Sequence, residues 1–596
     1  MNALWQPIAD AAARTPDAPA LRAAGVELSY AALRARVAAY AAALLAQGVA
    51  PGDVVALGAE RTPDTLAALL AIVAMGAAYL PLDPTHSDAW LASMLEDAQP
   101  RVGIGPAALR ARLPQQIAWC EPDAAASAVP AREGELAYVL FTSGSTGRPK
   151  GVAMRSTALA HLLDWHRSHA RLGRAARTLQ FAPLGFDVSF QEIFSTLQAG
   201  GTLVLPSDAE RRDPWALAAL LDAEAIERLF LPYVALQSLA DATQNGARAP
   251  HALRDVITAG EALRITPAIR ALCAAQPGRV LHNHYGPTEA HVVTAHELAG
   301  DPAAWPELPP IGRALPHVTI HIQADPSVEA GGELWLGGDC LAAGYIGRPE
   351  LTVERFVLRD GARWYRSGDA VRMADDGTLE YLGRLDDQIK VAGYRIEPGE
   401  IEAALCRHAE VAQAAVVAED APGGKRLVAH VVPRDANADE ATLAAGLRAH
   451  CRATLAHYLE PQAYVLHAAL PQTASGKVDR RALARHAGSA LEWRAELPLI
   501  ERVAGLWRQL LARDAIAPAA NLFDLGASSL SVVHALAELR RHGHVLTVAQ
   551  VYENPSVAAL SALLDGALSD AKPDANADLR GARQRAALAR FAGARR

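Results

Sequence analysis

The sequence predicts an α/β multidomain protein, with a large layered α/β core up to about residue 385, a smaller α+β unit and a helical C-terminal unit. Three observations predict it. The 596 residues exceed one ordinary domain and suit three or four cores. Helix-like and β-rich apolar runs alternate along the first part of the chain, as layered α/β sheets require. Between residues 498 and 566 only helical patterns remain.

In chain order, YAALRARVAAYAAALLAQG reads as a helix and DVVALGAE as a strand, with later strands at ELAYVLFT and GTLVLPS. Residues 65–82 (TLAALLAIVAMGAAYLPL) are uncharged and just reach the length of a membrane span. Alanine dominates them, and Gly76 and Pro81 interrupt them, so the expectation is a buried helix running into a buried strand. The smaller unit contains EIEAALCRH (helix), VAQAAVVAED and RLVAHVVP (strands), ATLAAGLRAHCRATL (helix) and a loop ending in TASGKVDR. Residues 489–497 read as a linker. The helical unit offers IERVAGLWRQLLAR, SLSVVHALAELRRHG and PSVAALSALLDGAL, and residues 567–596 read as a mostly disordered, arginine-rich tail. No repeat of 20–50 residues is evident.

Half the residues are hydrophobic, 20% are charged, and the formal charge is −8. No basic track runs through the body of the chain, so no nucleic-acid partner is expected. Cys120, Cys273, Cys340, Cys406 and Cys451 are odd in number and never in CxxC spacing. A disulfide framework or zinc site is therefore not expected, and a reducing compartment is. The start, MNALWQPIADAAARTPD, has no basic region followed by an apolar one. A cytoplasmic protein without membrane contact is the expectation. Lysine occurs only at 150, 390, 425, 477 and 572, which draws attention to the loops that hold it.

The strongest local signal is FTSGSTGRPKG, residues 141–151, directly after ELAYVL. Glycines permit close backbone approach, hydroxyls and Lys150 suit an anionic phosphate, and the loop is not a Walker A motif. It resembles the phosphate loop of adenylate-forming enzymes. The resemblance continues in order through AMGAAYLPLDP (74–84), FDVSFQEIF (186–194), NHYGPTEA (283–290) and GELWLGGDCLAAGYIGRPELT (332–352). It extends through YRSGD (365–369), GRLDDQIKVAGYRIEPGEIE (383–402) and PQTASGKVDR (471–480). The chain thus resembles a nonribosomal peptide synthetase adenylation domain, with core 1–385 and small subdomain 386–488. Two departures are Ser367, where threonine is usual, and Ala392, where arginine is common.

The resemblance implies ATP and Mg²⁺ as cofactors and assigns roles residue by residue. Tyr285 would stack on adenine, with Asn283 and the Gly260–Glu261–Ala262 backbone at its edge. Asp369 would take the ribose hydroxyls, near Tyr381 and Arg384. Thr142, Ser143, Gly144, Ser145, Thr146, Gly147, Lys150, Gly286 and Thr288 would surround the phosphates, and Glu289 would bind Mg²⁺. Lys477 would clamp the substrate carboxylate and the α-phosphate as charge develops. Asp386 matches the family's hinge, about which the small subdomain would turn to withdraw Lys477 and present residues 390–394.

FDVSFQEIF places Asp187 and Gln191 at i and i+4 on one helix face. Ser189 and Glu192 also have capping-box spacing, which offers a structural role for the same stretch. The family's amino-acid activators keep an aspartate at the Asp187 position to pair with the substrate ammonium. The other pocket positions are Val188, Gln191, Phe230, Ile257, Ala259, His284, Val292 and Val293, closed by Lys477. This mostly apolar set is similar to proline-activating domains, so L-proline is the expected substrate. Pipecolate, hydroxyproline and valine remain alternatives.

NLFDLGASSLSVVHAL (521–536) resembles the attachment site of a four-helix peptidyl carrier domain, here residues 498–566. Ser529 would carry 4′-phosphopantetheine, added by a phosphopantetheinyl transferase, at a helix start that favours a phosphodiester. With neither an HHxxxDG nor a GxSxG motif in the chain, downstream biosynthetic enzymes would take the loaded building block. An acyl-CoA ligase and an inactive carrier scaffold are the rival readings, and Asp187 and Ser529 speak against the first.

Overall fold

The computed structural model describes residues 2–569 except 114–116, 123–127, 145–147, 327, 392, 422–423, 436–438, 472–477, 485–492, 495, 512, 514 and 528. The N-terminal part is built on three sheets. The first runs Gly344–Tyr345, Lys150–Arg155, Leu136–Thr142, Ala78–Leu82, Val54–Gly58, Val102–Ile104 and Ala118–Trp119, parallel from Leu136–Thr142 onward. The second has nine strands, and its centre is parallel. There Arg177–Leu179, Arg228–Leu231, Asp255–Thr258 and Val280–Tyr285 lie side by side with Phe230 opposite Ile257 and Thr258 opposite Asn283.

The helices Tyr30–Ala46, Pro63–Ala74 and Asp187–Gln198 share one apolar core with both sheets. Pro63–Ala74 opens on the Thr62 cap and is buried from Leu66 to Ala74 before the chain turns at Gly76 into the buried strand Ala78–Leu82. Residues 65–82 are therefore the helix and strand expected of them. Among the described residues no helix is long and apolar enough to cross a membrane.

The third sheet, five antiparallel strands from Val318 to Arg384, was not distinguished in the sequence from the layered α/β pattern around it. The smaller unit follows with the hairpin Ile389–Val391/Tyr394–Ile396 and helices Pro398–Cys406 and Glu440–Thr454 over the long pair Val411–Ala421/Gly424–Pro433. A further strand, Ala463–Leu466, pairs parallel with Gly424–Pro433 inside the stretch read as a loop. Four helices close the described chain: Leu499–Leu511, Ser529–Arg541, Val548–Glu553 and Val557–Ser569. They enclose Val503, Trp507, Leu522, Val532, Leu536, Val551 and Leu560. The last helix runs past residue 566, and the expected tail from 570 on lies outside the described residues.

Candidate active site

Parallel strands bring their C-terminal ends to one edge, where ligand sites of open α/β sheets form. Phe230, Ile257 and Ala259 lie at two such ends, and Thr142 ends a strand of the neighbouring sheet. All four line one cavity of about 230 Å³, together with Asp187, Val188, Gln191, Val292, Asp369 and Arg384.

Asp187 is the first residue of its helix. Its carboxylate accepts from the Val188 N–H at 2.8 Å, and among the described residues no cation pairs with it. Gln191, one turn on, is 1% exposed, and its Nε2 has no partner among the described residues. The capping box does not form. Ser189 sits inside the first turn and donates to the Phe186 carbonyl at 2.7 Å, because the helix starts three residues earlier than that box requires. Glu192 instead turns inward and accepts from the N–H groups of Phe181 and Ala182, both at 3.0 Å, and from Gln180 Nε2 at 2.9 Å. Burial pushes this carboxyl up to about 8, against the pull of those donors. The bonds pin the loop that leads into Asp187. Glu192→Ala strands two buried N–H groups and is expected to cost about 3 kcal/mol, read as a lowered thermal midpoint.

At the other end of the cavity the Tyr285 hydroxyl donates to Asp369 Oδ2 at 2.5 Å, and Arg384 Nη1 donates to Asp369 Oδ1 at 2.9 Å. Arg384 also grips Asp386 through Nε and Nη2, at 2.8 and 2.6 Å. Tyr381 lies 6.3 Å from Tyr285, ring centre to ring centre. Ser367 Oγ donates to the Leu334 carbonyl and accepts from the Asp369 N–H, a role any hydroxyl residue fills, so its departure from threonine is explained.

Glu289 is fully buried in a cage of donors. Arg395 Nη1 is 2.8 Å from Oε2, and Tyr345 Oη at 2.7 Å and Lys150 Nζ at 3.5 Å approach Oε1. Burial opposes its charge, but Arg395, Lys150 and Tyr345 outweigh that and hold the carboxyl well below the usual range. Burial and the neighbouring Arg395 bring Lys150 down to about 8, against the pull of Glu289. Thr142 Oγ1 is buried without a partner among the described residues.

The smaller unit reaches into this site. Lys390 Nζ stands 5.9 Å from the Tyr285 ring centre, and burial lowers its ammonium against the attraction of Asp369. The Gly393 N–H donates to Glu261 at 2.8 Å. Gly393 has φ +83°, and an added Cβ would come within 3.1 Å of Pro232, so glycine fits this close approach. The Gly144 N–H donates to Glu400 at 3.0 Å, and Ser143 Oγ donates to the Arg395 carbonyl at 2.6 Å. Of the expected 390–394 segment, Lys390, Gly393 and Tyr394 thus line the cavity together with Arg395, while Ala392 lies outside the described residues.

Several expected residues lie apart from the cavity wall. Asn283 spends its amide on the Pro310 carbonyl at 2.9 Å, and Ala262 is exposed. Val293 is buried in the main core with Tyr285 and Ala290, while its neighbour Val292 lines the cavity. His284 lies behind the wall, edge-on to Trp165 with ring centres 5.6 Å apart, and among the described residues neither ring nitrogen has a partner. Gly260, Gly286 and Thr288 do line the cavity. Ser145, Thr146, Gly147 and Lys477 lie outside the described residues. His291 was missed: it lines the cavity in a left-handed conformation, φ 56°, and its Nε2 is 3.0 Å from the Asp187 carbonyl oxygen. A histidine beside the quoted motif carried no periodic signal that could have found it.

The AMP-binding enzyme family matches residues 8–346. The chain belongs to this family. The AMP-binding enzyme C-terminal domain matches residues 400–477, and the phosphopantetheine attachment site matches 501–564. AMP-binding domains of this kind use ATP with Mg²⁺, and attachment domains carry 4′-phosphopantetheine on a serine. The chain is 39% identical over 551 residues to phosphinothricin tripeptide synthetase PhsB of Streptomyces viridochromogenes, covering 87% of this chain and 45% of that protein. It is 38% identical over 595 residues to isonitrile lipopeptide synthase of Streptomyces coeruleorubidus, covering 94% of this chain and 39% of that one. It therefore spans less than half the length of these curated relatives. Among solved structures, holo-PA1221, an NRPS protein containing adenylation and PCP domains bound to a vinylsulfonamide inhibitor, is similar with TM-score 0.79 and 27% identity over 94% of this chain and 96% of that one. The amide bond synthetase McbA of Marinactinospora thermotolerans is similar with TM-score 0.70 and 29% identity over 80% of this chain and 98% of that one. The AMP-binding core, its C-terminal domain and the attachment domain thus stand in the order of an adenylation and carrier pair.

Proposed function

We propose that this member of the AMP-binding family activates L-proline as prolyl-AMP and loads it as a thioester on its own carrier domain. The supporting observation is the Asp187 end of the cavity. A carboxylate without a cation partner among the described residues and the amide of Gln191, whose Nε2 has no partner among them, face a space also lined by Val188, Phe230, Ile257, Ala259, Val292 and His291. An ammonium with a small, apolar, cyclic body suits that lining, and a charged or large aromatic side chain does not.

ATP fits the other end. Tyr285, whose ring Lys390 now stands over, is the aromatic group suited to a purine once that lysine withdraws, Asp369 and Arg384 suit ribose hydroxyls, and the Thr142 hydroxyl, unpartnered among the described residues, suits a phosphate oxygen. Glu289 is the carboxylate suited to Mg²⁺ once Arg395 withdraws, since both its oxygens are now engaged. Lys477 serves the adenylation step from the small subdomain, which turns about the hinge at Asp386. Phosphopantetheine on Ser529, installed by a phosphopantetheinyl transferase, supplies the thiol that accepts the prolyl group. Downstream biosynthetic enzymes then take the thioester.

Amino-acid-dependent ATP–pyrophosphate exchange tests this over proline, pipecolate, hydroxyproline, valine and leucine. Proline should give the fastest exchange, and Asp187→Ala should lower it by at least about 100-fold, the loss of a buried charge partner. Fastest exchange with another member keeps the chemistry and replaces the substrate. No exchange with any of them from folded protein refutes the reading.

A further inference from the structure

The carrier helix Ser529–Arg541 lies against the adenylation core, not free of it. Near its end the Arg540 guanidinium sits 3.9 Å from the ring centre of Trp215. Trp215 belongs to the core: it is in the first turn of the helix Pro214–Ala223, whose N-terminus is capped by Asp213 through the N–H groups of Trp215 and Ala216. The indole is half-buried and packs against the carrier's own apolar cluster. Arg540 is held in place from the carrier side by its Nη2, which donates to the Leu546 carbonyl at 3.2 Å. The negative charge of Asp213 partly offsets its desolvation.

A second contact ties the carrier to the small subdomain. Gly526, three residues before Ser529, has φ +104°, and any Cβ there would overlap the Gln462 carbonyl oxygen. Arg448 Nη1 donates to the Asp524 carbonyl beside it. The carrier therefore bridges the two parts of the adenylation unit, with the start of its attachment helix near one contact and Arg540 near the other. Both contacts hold in the same arrangement that puts Lys390 and Gly393 into the cavity.

We propose that Trp215 and Arg540 are a positioning pair: a cation–π latch that docks this chain's own carrier for acyl transfer and plays no part in adenylation. A desolvated guanidinium over an indole is at the strong end of such contacts. The inference rests on the loading reaction proposed above. In that reaction the thiol gives up its proton to solvent, its sulfur bonds the prolyl carbonyl carbon, the bond from that carbon to the AMP oxygen breaks, and AMP leaves with that bond's electron pair.

The test uses the full chain, converted to the phosphopantetheine form and checked by intact mass, with proline exchange and single-turnover loading measured side by side. Trp215→Ala and Arg540→Ala should each load at least ten-fold more slowly, with exchange within two-fold of the parent. Trp215→Phe, which keeps a ring face, should recover most of the rate. Arg540→Glu should load most slowly, and Trp215→Ala with Arg540→Ala together should be no slower than either alone. Parent-like loading by Trp215→Ala overturns the latch. So does a parallel fall in its exchange, which marks a merely structural tryptophan. A parent chain that exchanges but never loads refutes the loading reading instead.

Discussion

Ser529→Ala is expected to abolish thioester loading entirely while leaving proline-dependent pyrophosphate exchange at the parent rate. The position is set by local geometry. Gly526 turns the chain in a left-handed conformation, and Ser529 is the first residue of the helix that follows. A helix N-terminus offers unpaired N–H groups and a favourable field to the phosphodiester that anchors the arm. Exchange is expected to need only the cavity between Asp187 and Asp369, to which no described carrier residue contributes lining. Intact mass after incubation with a phosphopantetheinyl transferase and coenzyme A reads the outcome directly. Modification persisting in Ser529→Ala would move the attachment site, with Ser528 the first residue to examine.

Lys477→Ala is expected to slow exchange by about 100- to 1,000-fold, the usual cost of losing one preorganised charge at a developing anion. The cavity's other cations explain why the loss should be so large. Arg384 is committed to Asp369 and Asp386, and Arg395 to Glu289. Lys390 also lines the cavity, but in the proposed hinge motion it leaves as Lys477 enters, so a carboxylate and an α-phosphate meeting at the centre of the site are expected to depend on Lys477. Loading from prolyl-AMP supplied ready-made should fall far less. Equal losses in both half-reactions would show that Lys477 supports the fold of the small subdomain rather than the first step.

Much of this was legible in the sequence because the chemistry sits in contiguous loops. FTSGSTGRPKG leaves a strand, FDVSFQEIF opens a helix and YRSGD lies inside the strand Ala362–Met373, each an unbroken run, so Thr142, Asp187 and Asp369 could be numbered without a structure. The five-stranded antiparallel sheet was harder to see. Its strand Val318–Ala324 is half-exposed along most of its length and lacks a clean alternation. The strand Ala463–Leu466 is only four residues long and owes its pairing to a strand some 35 positions earlier. Pocket residues matched by motif place the neighbourhood but not the side a residue faces, which is why Val292 lines the cavity and Val293 does not. The contact between Trp215 and Arg540 joins positions 325 residues apart on different domains, and no local pattern carries such information.

The cage around Glu289 has a consequence for how the protein should respond to its solution. If Glu289 takes Mg²⁺ as proposed, one anion has two suitors, a hydrated dication and the Arg395 guanidinium of the small subdomain. Both cannot be served at once at a residue with 0% exposure. Free magnesium is then a competitor of subdomain docking as well as a helper of ATP, so its concentration becomes a dial on the molecule's shape. Raising it should favour the nucleotide-receptive form, and chelating it should favour the form in which the carrier is held against the core.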